Sequence, residues 1–329
     1  EALADNLLRV IDVLCTDAMD RAWRCRMGSA GALSEAIALV RTWDDLGGGG
    51  TVTEDDASPA QKGAGHRLRR LWRTTLRLLD DVREDVRQKG ETLGKSLRSL
   101  TLRLATLRQE AVRTSLSILL GTTGLESSCT AAAGLSISTV LGIVDAAPPS
   151  SLEEGLPDLV AVLVGSVSNL EPAALNYLQV RADAPEGALS YDALDSLRLR
   201  LSARSPLSVA LDRLFDTVVP RASLAVRRLL IPHLDAALRR AAGTASRAAA
   251  ADCAAALARS SPAAFGGPSE AAAVRLLRAL AAGAERERGS GARSRLSRAL
   301  GAVAEACPPP AVGTLATEAC ERYERKWGA

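Results

Sequence analysis

Leucine-rich segments recur along this chain at a nearly constant interval, which constrains the fold more than any other feature. The segments centred on Leu76, Leu119 and Leu163 are 43 and 44 residues apart. Those centred on Leu234 and Leu277 are again 43 residues apart. Repeats with a period of about 40–47 residues form pairs of antiparallel helices that stack into solenoids. The spacing therefore predicts an all-α protein, an α-α superhelix.

The clearest repeat covers residues 67–104. Its first helix carries apolar residues at i, i+3 and i+4 spacing, namely Leu68, Leu71, Trp72, Leu76 and Leu79. Its second helix carries Val86, Leu93, Leu97, Leu100 and Leu104. The pattern is typical of HEAT/armadillo-like solenoids, in which each repeat leaves an apolar face that its neighbours cover.

The turn inside this repeat predicts particular contacts. Asp80 and Asp81 mark the turn, and Val86 and Arg87 follow it at the spacing found in HEAT repeats. An acidic residue here complements the positive end of the second helix, while Val86 enters the core. We expect the Arg87 guanidinium to bind an aspartate of a neighbouring repeat.

Less regular helices complete the prediction. We expect pairs at 111–120 with 126–144, 156–167 with 172–180, 229–238 with 245–257, and 273–280 with 292–304. Pro157 and Pro232 are placed near the start of their helices, where the missing N–H is not needed. A helix at 20–40 is expected to turn Trp23, Leu33 and Ile37 inward.

The predicted domain organisation is one continuous HEAT-like solenoid over residues 1–329. The glycine run and acidic patch at 44–66 predict an exposed loop, and Pro185 and Gly187 predict an irregular insertion at 183–206. The chain begins at Glu1 with apolar residues already at helical spacing. We therefore expect it to be an internal part of a longer protein.

Charge and composition favour protein partners. The net charge is +3, from 41 basic and 38 acidic residues, and nearly all of the basic residues are arginine. Arginine, alanine and glycine are all abundant, so the arginine excess is not taken as a nucleic-acid signal. Such a signal is usually a clustered basic stripe. Nucleic acid is not expected as a partner.

Cysteine and hydropathy patterns exclude several other classes. The six cysteines lie far apart, without CxxC spacing, and we expect free thiols in a reducing compartment. The longest uncharged run, residues 127–144, is rich in small and polar residues. It is interpreted as a buried helix, and no membrane insertion is expected.

No motif predicts catalysis, a cofactor or a metal ion. Residues 90–96 are one residue short of a phosphate-binding loop and lie within the best predicted helix. The only histidines, His66 and His233, have no nucleophile or metal ligand at motif spacing. The protein is predicted not to be an enzyme and to have no small-molecule substrate. The arginine pairs 227–228 and 239–240 and the turn at 285–288 are interpreted as solvated faces, with a partner contact as the alternative.

A more specific resemblance is found at residues 170–182, Leu-Glu-Pro-Ala-Ala-Leu-Asn-Tyr-Leu-Gln-Val-Arg-Ala. With the helix from Leu156, the Asp195-Ser-Leu-Arg-Leu segment and the Leu71-Trp-Arg segment, it resembles the large HEAT-repeat proteasome adaptor and scaffold family. The resemblance is specific across residues 71–206.

The resemblance implies a non-enzymatic scaffold that binds the core and regulatory particles of the 26S proteasome. It implies a role in proteasome assembly, stability or quality control, in cytoplasm and nucleus. The family contributes no catalytic residues, and no protein-binding position is assigned. The alternative is another giant HEAT-repeat scaffold, such as a ribosome-binding translation-control protein or a nuclear transport receptor.

Overall fold

The computed structural model describes residues 2–47, 63–170, 190–241 and 243–327. Helices make up the regular structure of these residues, and none of them lies in a strand. The all-α prediction is confirmed. The chain divides into two compact units, residues Glu1–Gly155 and Leu156–Ala329. The prediction of one continuous solenoid remains a prediction.

Unit 1 contains seven helices among the described residues. They are α1 (Ala2–Asp17), α2 (Trp23–Leu39), α3 (Ala64–Leu79), α4 (Glu84–Leu107), α5 (Gln109–Leu119), α6 (Thr130–Ala146) and α7 (Pro149–Leu152), with a 3-10 turn at Asp44–Leu46. Helices α2, α4 and α6 pack side by side in one layer, and α1, α3 and α5 form the other. This is the two-layer stacking expected of helix-pair repeats.

Unit 2 contains eight helices among the described residues. They are α8 (Leu156–Ser166), α9 (Tyr191–Ala203), α10 (Pro206–Arg213), α11 (Leu224–Arg240), α12 (Thr244–Ser260), α13 (Glu270–Arg286), α14 (Ser290–Ala306) and α15 (Pro309–Trp327). Helices α8, α11, α13 and α15 pack in sequence, and α12 packs against α14 in a second layer.

The predicted repeat at 67–104 is confirmed as the pair α3–α4. All ten of its predicted core residues are buried, and Trp72, Leu93 and Leu97 are fully enclosed. The pairs α5–α6, α11–α12 and α13–α14 are confirmed as well. The uncharged run lies largely in α6, and no described helix is both long and apolar enough to cross a bilayer. The predicted helix at 172–180 lies outside the described residues.

One of the two helix starts predicted from a proline needs correction. Pro157 lies in the first turn of α8, as expected. Pro232 instead lies in the middle of α11, because that helix begins at Leu224. The Ser223 side chain caps its start by accepting a hydrogen bond from the Val226 N–H at 3.4 Å. Trp23 is half-buried at the start of α2, with the Arg24 and Arg83 guanidinium groups 5.0 and 4.8 Å from its ring centroid.

The two predicted irregular segments are partly described. Of the loop at 44–66, residues 48–62 lie outside the described residues, and residues 64–66 belong to α3. Of the insertion at 183–206, residues 183–189 lie outside the described residues, whereas 191–203 form the regular helix α9.

Helix α9 closes the amino-terminal end of α14. The Asp192 carboxylate accepts the Ser290 N–H at 2.9 Å, and the Asp195 carboxylate accepts the Ala292 N–H at 3.2 Å. The first N–H groups of a helix have no partner within it, so these carboxylates satisfy donors that would otherwise be left unpaired. Asp195 and Ala292 are buried. The segment predicted to be irregular is therefore part of the packed structure of unit 2.

Arginines at the start of second-layer helices bind the preceding turn. Arg26, Arg87, Arg247 and Arg293 each donate to a backbone carbonyl six residues earlier, at 2.8–3.2 Å. The repeated geometry shows that the turns within these pairs are built alike.

Two of these arginines also join one helix pair to the next. Arg26 binds both carboxylate oxygens of Asp81 at 2.6 and 3.0 Å, and Arg247 binds Glu287 at 2.5 Å. The expected partner of Arg87 is wrong: this side chain binds the Asp81 carbonyl and the Glu84 carboxylate within its own turn. Asp81 is instead the acceptor for the preceding pair.

Replacing Asp81 by asparagine should make unit 1 less stable at neutral pH and less sensitive to acid. Arg26, followed by the Arg83 N–H, holds the pKa of the Asp81 carboxyl below its ordinary value of 3.8. A carboxyl whose pKa is lower in the folded state stabilises the fold at pH values above its unfolded-state pKa. This stabilisation is lost as the pH falls through the folded-state pKa. We expect a loss of about 1.5–3 kcal/mol at neutral pH.

Urea unfolding followed by tryptophan fluorescence, at neutral pH and near pH 3, measures this difference. Asp85→Asn is the control, since Asp85 in the same turn is 56% exposed and pairs loosely with Arg83 at 4.0 Å. Its expected loss is below about 1 kcal/mol. Equal losses from the two substitutions would contradict the role assigned to Asp81.

Candidate protein-interaction groove

The near-miss phosphate loop is helical backbone. Residues 90–96 lie inside α4, as the sequence predicts. A Cβ at Gly94 would overlap the Leu135 side chain of α6, so glycine permits the close approach of two packed helices. The backbone N–H groups here belong to a helix and do not form a phosphate-binding loop.

The histidines have structural surroundings. The His233 Nδ1 lies 2.7 Å from the Leu229 carbonyl and its Nε2 lies 3.5 Å from an oxygen of the exposed Asp158. His66 lies in the first turn of α3. Among the described residues, no group of three or more His, Cys, Asp or Glu side chains is arranged to hold a metal ion.

All six cysteines are free, and three of them are enclosed. Burial raises the pKa of the Cys15 and Cys307 thiols to about 11, and it raises that of Cys253 further still. A thiol nucleophile acts as the thiolate. At neutral pH these three side chains therefore behave as small apolar core residues.

Unit 2 contains a large groove of about 990 Å³ whose walls are rich in arginine. Its lining comes from α9, α11, α12 and α13 and from the turn before α14: Arg198, Leu238, Arg239, Ala241, Arg247, Arg275, Arg278, Ala279, Ala282, Gly283, Arg286, Glu287 and Arg288. Seven of these residues are arginines and one is acidic. We call this feature the arginine groove.

The acidic groups of the arginine groove are paired and mostly buried. Glu287, which is 7% exposed, binds Arg247. Asp235, also 7% exposed, accepts from Arg239 at 2.7 Å and lies 3.8 Å from Arg275. A buried carboxylate is stable when it is paired and hydrogen-bonded in this way. The negative charge therefore lies beneath the arginine side chains.

The arginine side chains remain accessible. Arg239, Arg275 and Arg278 expose 52%, 53% and 49% of their side chains. Arg278 also binds the Glu318 carboxylate of α15 at 2.7 Å, and Glu318 is 40% exposed. Arg286 and Arg288 are exposed, and within the described part of the chain their side chains make no hydrogen bond or ion pair. The surface of the groove therefore presents positive charge to solvent.

The interpretation of the arginine-rich segments as solvated faces needs correction only at Glu287, which is buried, and at the half-buried pair 227–228. Arg239, Arg286 and Arg288 are exposed, as expected. The turn at 285–288 contains the buried Glu287 between Arg286 and Arg288, and all three line the groove. Arg239 also lines the groove, while Arg227 binds the Ser261 hydroxyl at 3.0 Å. Sequence reasoning missed the groove, although Arg275, Arg278 and Arg286 recur on one side of a helix at spacings of 3 and 8 residues.

A second cavity of unit 2, of about 420 Å³, has the opposite charge. Asp212, Asp216 and Asp252 line it, and Arg295 binds Asp252 at 2.8 Å. Burial, together with the neighbouring Asp216 and Asp252, raises the pKa of Asp212 above its ordinary value. Apart from Arg259 and Arg295, the charged residues that line this cavity are acidic, and we assign it no ligand.

Comparisons with known proteins match this part of the chain. The sequence model of the HEAT-repeat domain of "Proteasome adapter and scaffold protein ECM29" matches residues 152–324. The human protein of that name is 29% identical over 212 residues, which are 63% of this chain and 10% of the human protein. "Proteasome component ECM29" of Saccharomyces cerevisiae is 21% identical over 215 residues, again 63% of this chain and 10% of the relative.

Solved structures are more distant. An engineered protein shares 13% identity with a TM-score of 0.33, covering 90% of this chain and 97% of its own. A structure of tubulin recruitment by microtubule polymerases with tumor overexpressed gene domain arrays shares 13% identity with a TM-score of 0.25, covering 89% of this chain and 77% of its own. At these TM-scores neither structure bears on the fold or the function.

The helices stack in pairs, arginines bind the turns within these pairs, and an accessible groove follows one face. These features are typical of a HEAT-repeat protein. The family match covers more than half of the residues and includes the whole arginine groove. The chain belongs to the family of the proteasome adapter and scaffold protein ECM29, and the resemblance found in the sequence is confirmed. It spans about a tenth of the length of the curated relatives it matches.

Proposed function

We propose that this chain is part of a non-enzymatic scaffold that binds the 26S proteasome and supports its assembly, stability or quality control, in cytoplasm and nucleus. The observation that carries the proposal is the family match over residues 152–324, with relatives named as proteasome adapter, scaffold and component. Extended repeat surfaces suit this role, because each helix pair contributes side chains to one continuous face.

The proposal predicts a direct interaction. Full-length protein mixed with purified 26S proteasomes should migrate with them in native gels and cosediment with both core and regulatory particles. Serum albumin at the same concentration is the control for non-specific sedimentation. Migration apart from proteasomes, together with binding to purified ribosomes or to Ran, would instead identify a ribosome-binding or nuclear-transport scaffold.

A further inference from the structure

The charge of the arginine groove is concentrated relative to the rest of the protein. The whole chain carries a net charge of +3, yet seven arginines and one glutamate line this one groove. The Glu287 carboxylate is paired with Arg247, that of Asp235 with Arg239, and that of Glu318 with Arg278. The side chains of Arg286 and Arg288 have no partner among the described residues. A groove in this state attracts negative charge.

The shape of the groove fits an extended chain. Arg275, Arg278 and Arg286 lie along α13, and the first and last are separated by about 16 Å of helix at about 1.5 Å per residue. An extended peptide of about five residues covers this distance at about 3.3 Å per residue. Ala279 and Ala282 lie between the arginines, and their short side chains leave room for a peptide backbone.

The chemistry of the walls favours an acidic peptide over nucleic acid. The forked guanidinium group matches a carboxylate with two parallel hydrogen bonds. Proteins that bind single-stranded nucleic acid combine positive charge with aromatic side chains on which bases stack. None of the residues lining the arginine groove is aromatic, and its apolar members are leucine, alanine and glycine.

We propose that the arginine groove binds an extended acidic peptide segment and, resting on the proposed function, that this segment belongs to a proteasome subunit. Arg286 and Arg288 contact its carboxylates at one end, and Arg275, which lies 3.8 Å from Asp235, contacts them towards the other. Arg247 and Glu287 hold the turn that positions Arg286 and Arg288, since Arg247 binds the Glu287 carboxylate beneath them.

Fluorescein-labelled hexaglutamate tests the groove through fluorescence anisotropy with the full-length protein. Arg286→Gln/Arg288→Gln should weaken binding about fivefold, as expected for the loss of two exposed ion pairs. Arg286→Lys/Arg288→Lys keeps the charge and should retain most of the affinity. The matched control is Arg204→Gln/Arg298→Gln, which removes two exposed arginines of unit 2 outside the groove and should leave binding unchanged. Binding should weaken between low and physiological salt.

Three results would overturn the peptide site. They are no binding of hexaglutamate at low salt, an equal loss in the Arg204/Arg298 control, and tighter binding of hexathymidylate than of hexaglutamate. Circular dichroism checks that each variant retains its helices. We expect no loss of helix, because neither the Arg286 nor the Arg288 side chain has a partner among the described residues.

Purified 26S proteasomes separate this inference from the proposed function. If wild-type protein binds proteasomes and the Arg286→Gln/Arg288→Gln variant binds about fivefold more weakly, the assignment to a proteasome subunit is supported. If both bind equally, the segment does not belong to the proteasome and this assignment is overturned. If wild-type protein binds hexaglutamate through the groove and fails to bind proteasomes, the proposed function fails and the peptide site stands.

Discussion

Leu97→Asp is expected to unfold unit 1. Leu97 is fully buried in α4, and α4 contacts α2, α3, α5 and α6. The substitution removes a buried leucine and places an unpaired carboxylate in the same position. We expect a loss of about 4–5 kcal/mol or more, which is comparable with the total stability of many domains.

Tryptophan fluorescence during urea unfolding measures this loss selectively. Three of the four tryptophans, Trp23, Trp43 and Trp72, lie in unit 1, and Trp72 is fully buried. Leu107→Asp is the matched control, because Leu107 is the last residue of the same helix and is 68% exposed. Its expected effect is within about 0.5 kcal/mol. A shift of the melting temperature of less than about one degree for Leu97→Asp would show that the repeat is wrongly assigned.

Gly289→Ala and Gly301→Ala are expected to change stability in opposite directions, although both lie at α14. A Cβ at Gly289 would overlap the buried Asp195 carboxylate and displace it from the Ala292 N–H. We expect a loss of about 1–3 kcal/mol, because a buried donor loses its partner. Gly301 lies within α14, with open space where an alanine methyl group would lie. Alanine there should stabilise by about 0.5–1 kcal/mol.

Urea unfolding followed by circular dichroism compares the two variants. The double variant Gly289→Ala/Asp195→Ala identifies the cause, because removing the carboxylate removes the closest contacts and leaves only the Cβ of residue 195, 2.9 Å from the new methyl group. We expect the effects of the two substitutions to be clearly non-additive. Additive effects, or equal stabilities of the Gly289 and Gly301 variants, would contradict the contact between α9 and α14.

The helices were predictable because their pattern is local. Leu68, Leu71 and Trp72 lie on one side of a helix whatever surrounds them, and the structure buries all three. The start of α11 was harder to predict, since Ser223 and not Pro232 marks it. A proline fits best in the first turn of a helix, but packing between paired helices can also accommodate a proline in the middle of a helix, as at Pro232.

The partners of charged side chains were not predictable from spacing. Arg87 follows the expected pattern, yet Asp81 receives Arg26 from a position 55 residues earlier. Glu287 lies in a turn that the sequence predicts to be exposed to solvent, yet it is buried against Arg247. Which arginine reaches which carboxylate depends on how one helix pair stacks on the next. That stacking depends on many apolar contacts that the spacing does not specify.

The sequence by itself determined that the chain forms repeated helix pairs and which family it belongs to. The periodic leucines and the segments at 71–206 are local patterns that can be recognised without knowing any tertiary contact. The tertiary structure decided that residues from Arg198 to Arg288 converge on one groove. It also decided that the Asp235 and Glu287 carboxylates lie beneath the arginines. The physical reason is that folding pairs and buries Asp235 and Glu287, while Arg286 and Arg288 remain exposed. An even mixture of charges along the chain thereby becomes a locally positive surface.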